Sequence, residues 1–455
     1  MKNILNKYLT TVKKTETIHY TGHVTAVRGM LIESRGPQSV MGEICTIRVT
    51  NKQDSRGYIP VLAEVVGLHD KTVQLMAYGE TKGIELGCDV IASGSVLQVG
   101  VGNELLGRVI DSTGRACDNK GEIVCDLFYP AVSSPPPAME RRPITERIVT
   151  GVRSIDSLLA VGKGQRLGIF AGSGVGKSTL LSMIARNTNA DINVIALIGE
   201  RGREVIDFLH RDLGEEGLKR SVVISATSDQ SPIARLRGAY VATAVAEYFR
   251  DQGKDVMLMF DSVTRFAHAQ REIGLAAGEP PAQRGYPPSV FELLPKLLER
   301  SGTSQKGTIT AFYTVLVDGD DMDEPISDKV RGTLDGHIVL SRKLAQAYHY
   351  PAVDVLASIS RLANRVSGAK TKEACGIIRK HMAVYAESED LITVGAYQKG
   401  SNPQIDAAIE KHAEIEDFLI QEETDPSPIN NTIKRLGKLA GIEIPGEEYG
   451  LLADD

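Results

Sequence analysis

Residues 167–186 read LGIFAGSGVGKSTLLSMIAR, which is an apolar run, a glycine-rich turn and a second apolar run. The pattern predicts a buried strand over Leu167–Phe170 and a helix over Ser178–Arg186. In the turn, glycines let backbone N–H groups face phosphate oxygens without Cβ clashes, and the helix adds its positive N-terminal end. The stretch therefore predicts a loop that binds the phosphates of a nucleoside triphosphate.

The side chains of this phosphate loop have separate predicted tasks. Lys177 brings positive charge to the β- and γ-phosphates of ATP, and the Ser178 hydroxyl can hold Mg²⁺. Ala171 stands where the common pattern has Gly. The alternative is a glycine-rich turn without a ligand, and the flanking strand and helix argue against it. The residues predicted to contact the nucleotide here are Gly172, Ser173, Gly174, Val175, Gly176, Lys177, Ser178 and Thr179.

From about residue 151 onward, apolar strands alternate with helical stretches such as Ile233–Phe249. This alternation predicts a parallel sheet covered on both faces. Beyond about residue 365 the strand signals fade and charged amphipathic helices such as Gln404–Gln421 follow, with an acidic tail after Pro445 that we expect to be loose. The further predicted strands are Val194–Ile198, Val222–Ser225, Val256–Phe260 and Ile309–Val317.

The N-terminal part has a different character. Residues 1–15 place apolar groups on one helical face among lysines, which is typical of a helix packed on its own body or of one offered to a partner or membrane. Residues 18–90 hold short β-rich runs between glycine-rich turns, which predict a small barrel or sandwich. A proline-rich extended connector is predicted over 130–143. The β-rich runs are His23–Val27, Cys45–Val49, Val61–Val66 and Thr72–Ala77.

The bulk composition excludes several classes of protein. A chain of 455 residues is too long for one core, and its net charge of −6 gives no nucleic-acid footprint. The five cysteines form no Cys-x-x-Cys pair and no zinc spacing, which fits a reduced compartment. The sequence has no apolar run of membrane-spanning length and no signal-peptide core, so we expect a cytoplasmic protein.

Two carboxylates follow predicted strands of the sheet. Asp261 ends the run Val256–Phe260, beside the expected phosphate loop, where it can bind Mg²⁺ through water; a helix N-cap is the alternative. Glu200 follows Val194–Ile198 and can polarise an attacking water, with Arg201 nearby to steady it or the γ-phosphate. On spacing alone, a solvated charged loop at 199–204 is at least an equal interpretation.

The stretch 350–361 reads YPAVDVLASISR and begins and ends on residues that suit a nucleotide site. Tyr350 can stack on adenine with its flat face. Arg361 can neutralise charge on a transferring phosphoryl group, as an arginine finger does. Taken singly, a packed aromatic and a structural ion pair are the more economical interpretations of these two residues.

Together these stretches resemble the catalytic subunit of rotary ATP synthases and its relatives. The resemblance rests on the phosphate loop, Gly199-Glu200-Arg201, Asp261 with Arg265, and the run from Pro351 to Arg361. Within that superfamily the sequence is most similar to the flagellar and type III protein-export ATPases, in residues 168–178, 265–281, 285–291 and 317–322. The similarity covers residues 20–440, and the departure at Ala171 is itself similar to the export ATPases.

The resemblance implies a site and a fold. Glu200 would be the catalytic carboxylate with Arg201 beside it, and Asp261 would be the strand-end carboxylate. Tyr350 would stack on adenine, and Arg361 would act across a subunit boundary in a homohexamer. The implied catalytic set is Lys177, Glu200, Arg201, Arg265 and Arg361. The implied domains are an amphipathic segment (1–17), a β-barrel (18–90), a RecA-like P-loop α/β domain (91–365) and a helical domain (366–455).

The resemblance also implies ligands and partners, namely ATP or ADP with Mg²⁺, a stator-like regulator at the N-terminal segment, and a central stalk protein facing loops 278–291 and 317–328. An export-gate membrane protein and exported substrates with their chaperones would be further partners, with the protein peripherally associated with the membrane. Flagellar export is favoured over virulence-type secretion by the wording of 311–343. An ATP synthase catalytic subunit, an RNA translocase and a scaffold without turnover remain as alternatives; residues 18–90 have few aromatic residues and no basic cluster for RNA.

Overall fold

The structure is a computed structural model and describes residues 20–51, 54–317, 319 and 321–449. Within these residues the chain forms a β-barrel, a large α/β unit and a C-terminal group of helices. The amphipathic segment predicted over 1–17 lies outside the described residues, as do positions 318 and 320 of the predicted channel loop.

Six antiparallel strands close the N-terminal barrel in the order β1-β2-β5-β4-β3-β6, and β6 pairs back onto β1. Alternate side chains point inward, so residues such as Ile32, Ile47 and Leu75 are fully buried in its interior. The predicted barrel is confirmed, although its last strand crosses residue 90, where we placed the domain end. The strands are β1 (Thr21–Arg28), β2 (Leu31–Arg35), β3 (Glu43–Thr50), β4 (Tyr58–His69), β5 (Thr72–Ala77) and β6 (Asp89–Val96).

Short strands lead from the barrel into the large unit. Strand β7 (Gln98–Val101) pairs with β9 (Leu127–Pro130), and β8 (Arg108–Ile110) joins the edge of the large sheet. The proline-rich connector that follows β9 holds only a short 3₁₀ turn, Ala138–Glu140, before β10 (Arg147–Ile148) pairs with β11 (Val161–Gly162).

The large sheet has the strand order β19-β18-β12-β17-β15-β13-β14-β8. Neighbours from β18 to β8 pair in parallel, whereas β19 returns antiparallel to β18, and β16 pairs antiparallel with β17. All five strands predicted from the apolar runs are present. Strands β18 and β19 were not predicted, because both alternate buried and exposed positions. The strands are β12 (Arg166–Ala171), β13 (Ile192–Ile198), β14 (Ser221–Ala226), β15 (Asp255–Asp261), β16 (Gly302–Thr303), β17 (Thr308–Leu316), β18 (Gly336–Leu340) and β19 (Val353–Ser360).

Both faces of this sheet are buried, as strand β13 illustrates. Its Val194 and Ala196 pack into one hydrophobic cluster, and Ile195 and Leu197 pack into another on the opposite face. A strand buried on both faces is expected to be mainly apolar, and six of the seven residues of β13 are apolar, with Asn193 as the exception. The helices of this unit are α1 (Arg153–Leu158), α2 (Lys177–Asn187), α3 (Gly202–Asp207), α4 (Gly214–Lys219), α5 (Pro232–Asp251), α6 (Val263–Ala276), α7 (Pro288–Leu298), α8 (Pro325–Thr333) and α9 (Arg342–Gln346).

The C-terminal group contains α10 (Ala363–Val366), α11 (Ala369–Thr393), α12 (Pro403–Leu419) and α13 (Ile429–Ala440). The tail after Pro445 corrects one expectation, because it is anchored as far as Glu448. That carboxylate accepts backbone N–H groups of Lys370 and Thr371 at 2.9 and 2.8 Å and so satisfies the first turn of α11. Among the described residues, no helix is both long enough and apolar enough to cross a membrane.

Candidate active site

The phosphate loop joins the end of β12 to the start of α2. Gly174 and Gly176 adopt left-handed φ values of 76° and 96°, which side chains with a Cβ rarely tolerate. A Cβ added at Gly174 would meet nothing within 4 Å, so the loop surface is open to a ligand. With the N-terminal end of an eleven-residue helix behind it, this loop can cradle phosphate oxygens.

Lys177 lies between two carboxylates at the start of α2. Its Nζ is 2.5 Å from Asp261 Oδ1 and 3.5 Å from Glu200 Oε1, and all three side chains are largely buried. Burial by itself lowers the pKa of Lys177, but the negative charges of Asp261 and Glu200 outweigh it and raise that pKa above its ordinary value. The ammonium is therefore charged and is held at the mouth of the phosphate loop.

Asp261 ends β15 and is buried beside the loop. The Thr314 hydroxyl of β17 donates to the same Oδ1 at 2.7 Å. The alternative role of helix cap belongs instead to Ser262, whose Oγ accepts the Arg265 backbone N–H at 3.3 Å. Thr314 was missed by sequence reasoning. Its signal was a polar side chain within the apolar run 309–317, on a strand next to the one that ends in Asp261.

Glu200 follows β13 and faces the same cluster. Burial and the negative charge of Asp261 raise the pKa of Glu200 to about 7, against the opposing effect of Lys177. A carboxylate with a pKa near neutrality can exchange a proton with water at the pH of catalysis. This geometry favours a chemical role for Glu200 over the solvated charged loop that spacing alone allowed.

Two arginines predicted for the site occupy different environments. Gly199 has φ 73°, and a Cβ there would lie 2.8 Å from the Arg265 Cβ, so Gly199 lets Arg265 pack over the loop that carries Glu200. The buried Arg265 Nε has no hydrogen-bond partner within the described part of the chain, which suits an anionic ligand. Arg201 instead points outward, with its side chain 81% exposed and 3.4 Å from Glu204.

Tyr350 lies next to the phosphate loop although it follows it by more than 170 positions in the sequence. Its ring is 3.6 Å from the position that a Cβ would take on Gly176, and the residue is 40% exposed. Its carbonyl oxygen accepts the Gln421 backbone N–H at 2.8 Å. A flat aromatic face is thus available beside the nucleotide loop.

Arg361 is the one predicted site residue that lies far from the loop. Strand β19 begins at Val353 beside Leu340, on the phosphate side of the sheet, and ends at Ser360 beside Gly336. The Arg361 backbone N–H donates to Asp335, whose own N–H donates to Arg166 at the opposite end of β12 from the phosphate loop. The exposed Arg361 therefore does not join the site of its own chain.

Family models match the three parts of the chain in order. The β-barrel domain of the ATP synthase alpha/beta family matches residues 24–94, and the nucleotide-binding domain of that family matches 151–360. The C-terminal domain of the type III secretion ATPase EscN matches 368–438. The flagellum-specific ATP synthase of Treponema pallidum is 62% identical over 449 residues, which cover 99% of both chains.

The chain belongs to the flagellar and type III secretion ATPase family. Its flagellum-specific relative from Bacillus subtilis is 53% identical and spans 95% of this chain and 98% of its own. The type 3 secretion system ATPase of Xanthomonas euvesicatoria is 49% identical over 91% of this chain and 93% of its own. The protein is thus an ATPase, and the predicted three-part fold is confirmed.

Solved structures of this ATPase family show the same fold. The assembled ATPase EscN from enteropathogenic Escherichia coli has a TM-score of 0.86 and 43% identity, and the match covers 92% of this chain and all of the EscN chain. A second structure, of assembled EscN in complex with its central stalk EscO, has a TM-score of 0.84 at the same identity and coverage. The C-terminal match distinguishes this ATPase from an ATP synthase catalytic subunit.

Proposed function

We propose that this ATPase hydrolyses ATP to ADP and phosphate to energise flagellar protein export, as a homohexameric ring with active sites at subunit boundaries. The observation that carries the proposal is the buried cluster of Lys177, Asp261 and Glu200 at the mouth of an open phosphate loop. A cation with two acidic partners at such a loop is the arrangement that phosphoryl transfer to water needs.

In the chemical step, water attacks the γ-phosphorus and the bond to the ADP oxygen breaks. Glu200 orients this water and accepts its proton, for which its raised pKa is suited. Lys177 turns from Asp261 toward the β- and γ-phosphates when ATP enters, and Arg265 adds positive charge from behind Gly199. Arg201, which is exposed in the single chain, reaches the γ-phosphate only if the loop at 199–203 closes over the nucleotide.

The donor set fits Mg²⁺. The Ser178 hydroxyl is exposed at the start of α2, and the Asp261 carboxylate becomes available when Lys177 turns to the phosphates. When bound, Mg²⁺ neutralises charge on the β- and γ-phosphates. Asp261 would hold it through water, positioned by the Thr314 hydroxyl.

Tyr350 would stack on the adenine of the nucleotide in its own chain, because its ring borders the phosphate loop. Arg361 would serve the neighbouring subunit, because it lies at the opposite ends of the strands from the phosphate loop of its own chain. The structure of the relative EscN as an assembled ATPase supports a ring in which such sharing takes place.

The partners are proposed by similarity. EscN is solved in complex with its central stalk EscO, which supports a stalk partner for this ring. Loops 278–291 and 317–328 would face this stalk, as the resemblance implies. A stator-like regulator at residues 1–17, an export-gate membrane protein, and exported substrates with chaperones would complete the apparatus. The site of action would be cytoplasmic and peripheral to the membrane, without nucleic acid. Flagellar export is favoured over virulence-type secretion because the 62% and 53% identical relatives are both flagellum-specific.

The catalytic assignment is tested by separating ATP binding from turnover. Glu200→Gln should retain ATP affinity within about threefold and lose about 10²–10⁴-fold in kcat, because only the proton acceptor is removed. Asp207→Asn, on the exposed end of α3, is the matched control and should behave as wild type. Lys177→Ala should weaken ATP binding itself. Near-normal turnover by Glu200→Gln would refute the assignment.

A second experiment tests the process that the ATPase serves. Expression of this chain in a bacterial mutant that has lost its flagellar export ATPase, and with it its filaments, should restore the filaments. The Glu200→Gln variant should not restore them. The same chain is also expressed in a mutant that lacks the ATPase of a virulence-type secretion system. Restoration of secretion there, without restoration of flagellar filaments, would reverse the preference between the two systems.

A further inference from the structure

The segment that carries Tyr350 is held in an unfavourable backbone conformation. It runs from the end of α9 to the start of β19, and Tyr348 within it has φ 58°, the left-handed region that a bulky residue rarely adopts. Such a conformation persists only where surrounding contacts keep the chain in place. The contacts that hold this segment therefore decide where the Tyr350 ring lies.

One of these contacts comes from the C-terminal helices. His349 is 4% exposed, and its Nδ1 is 2.8 Å from Oε2 of Glu416 on α12. The hydrogen bond from His349 lowers the pKa of Glu416, so the carboxylate is ionised and only accepts. Nδ1 therefore carries the proton and donates, which makes this a charge-assisted hydrogen bond.

A second contact comes from the residues that follow α12. The Gln421 backbone N–H donates to the Tyr350 carbonyl oxygen at 2.8 Å. The buried Gln421 side chain in turn accepts a hydrogen bond from the backbone N–H of Arg153 and donates one to the Gly151 carbonyl oxygen, both at 2.8 Å. The Tyr350 segment is thus attached to α12 and its C-terminal end, which are themselves docked on the nucleotide-binding unit.

We propose that His349 and Glu416 are positioning residues for the nucleotide base. Their hydrogen bond fixes the segment on which Tyr350 stands, so α12 sets how tightly the base is held. The proposal rests on the proposed stacking of Tyr350 on adenine. It follows that any partner that shifts α12 changes nucleotide affinity without touching Lys177, Glu200 or Asp261.

The chain offers a matched control in the same region. Lys343 of α9 forms an ion pair with Glu389 of α11 at 2.8 Å, which also joins this region to the C-terminal helices. Both side chains are exposed, and exposed pairs contribute little. If any contact between this region and the C-terminal helices were sufficient to position Tyr350, Lys343→Ala and Glu416→Ala would have similar effects on nucleotide binding.

The experiment compares a ligand that has a base with one that lacks it. Dissociation constants for ADP and for inorganic pyrophosphate, both with Mg²⁺, are measured by calorimetry on the full chain, together with kcat and KM for ATP. The variants are Tyr350→Ala, Glu416→Ala, His349→Phe and the control Lys343→Ala. His349→Asn serves as the conservative variant, because its amide N–H takes the place of Nδ1–H. Glu416 is one-third exposed, so Glu416→Ala remains informative if the buried His349→Phe fails to fold.

We expect Glu416→Ala and His349→Phe to weaken ADP binding about fivefold and to raise KM for ATP similarly. Pyrophosphate affinity and kcat should stay within twofold of wild type, and His349→Asn and Lys343→Ala should match wild type. Equal weakening of ADP and pyrophosphate would indicate general damage and overturn the proposal. An effect of Tyr350→Ala without one of Glu416→Ala overturns the positioning role alone. If Tyr350→Ala does not weaken ADP binding selectively over pyrophosphate binding, the base contact is wrong, and this proposal is overturned with it.

Discussion

Replacing Arg361 with Ala should nearly abolish ATP turnover while ATP binding survives. Strand β19 spans eight residues between the phosphate side of the sheet and Arg361, which is about 23 Å at 3.3 Å per step. No side chain crosses that distance, so Arg361 can contribute only to a neighbour's site. An arginine supplied in trans is worth about 10³–10⁵ in rate, or about 4–7 kcal/mol of activation free energy.

The assay is steady-state phosphate release at a protein concentration at which the ring forms, with ADP affinity measured in parallel. Arg365→Ala is the matched control, since Arg365 is an exposed arginine four residues further along the chain. Dilution of the wild type should also reduce its specific activity steeply, because a lone subunit lacks the arginine.

Mixed rings make the prediction sharper. Arg361→Ala subunits keep Lys177, and Lys177→Ala subunits keep Arg361, so a boundary holds a complete site when the first kind supplies the phosphate loop and the second kind supplies the arginine. In a random equal mixture about a quarter of boundaries are complete, so activity should recover to at most about a quarter of wild type. Near-normal turnover of Arg361→Ala alone, or no recovery at any ratio when mixed rings are seen to form, would refute the reasoning.

Three further predictions concern the stability of the fold and the loop that carries Glu200. Glu247→Ala leaves the fully buried Arg300 without its bidentate carboxylate, so the free energy of unfolding in urea should fall by about 3–5 kcal/mol; a loss under about 1 kcal/mol would contradict this. Gly199→Ala puts a methyl group 2.8 Å from the Arg265 Cβ at a left-handed φ, so kcat should fall with the fold intact by circular dichroism, and unchanged kcat would count against a role for this packing. Hydrogen bonds from an arginine of β8 hold the pKa of Asp118 well below its usual range, so its stabilisation is present above about pH 4 and is lost as the pH falls further. Asp118→Asn should therefore melt below wild type at pH 7, and the difference in melting temperature should narrow progressively as the pH falls below about 4; a difference independent of pH would contradict the assignment.

Much of the site could be predicted from the sequence because its central residues directly follow apolar strands of one parallel sheet. A strand, a glycine-rich turn and a helix in direct succession determine the phosphate loop, and carboxylates that follow other parallel strands of the sheet lie at the same ends of the strands as this loop. This places Lys177, Glu200 and Asp261 together, as the structure has them. The outward direction of Arg201 was not predictable, because the orientation of a loop side chain depends on packing that no local pattern encodes.

Contacts between distant positions were beyond the reach of the sequence. Thr314 meets Asp261 across 53 positions, and His349 meets Glu416 across 67. Each pair depends on which elements pack together and in what register. The anchored Glu448 was missed for the same reason, because an acidic tail resembles a solvated one until a helix end is found to need its carboxylate.

Nucleotide binding and hydrolysis could be predicted from the sequence, since the phosphate loop, Glu200 and Asp261 each follow an apolar strand that can be recognised locally. The positions of the two ends of the stretch 350–361 relative to the phosphate loop depend instead on long-range strand pairing. Because β19 runs antiparallel to β18, Tyr350 lies at the strand ends that carry the phosphate loop, and Arg361 lies at the opposite strand ends. Local hydrogen bonding and side-chain period set each element, whereas long-range packing sets the direction and order in which the elements meet.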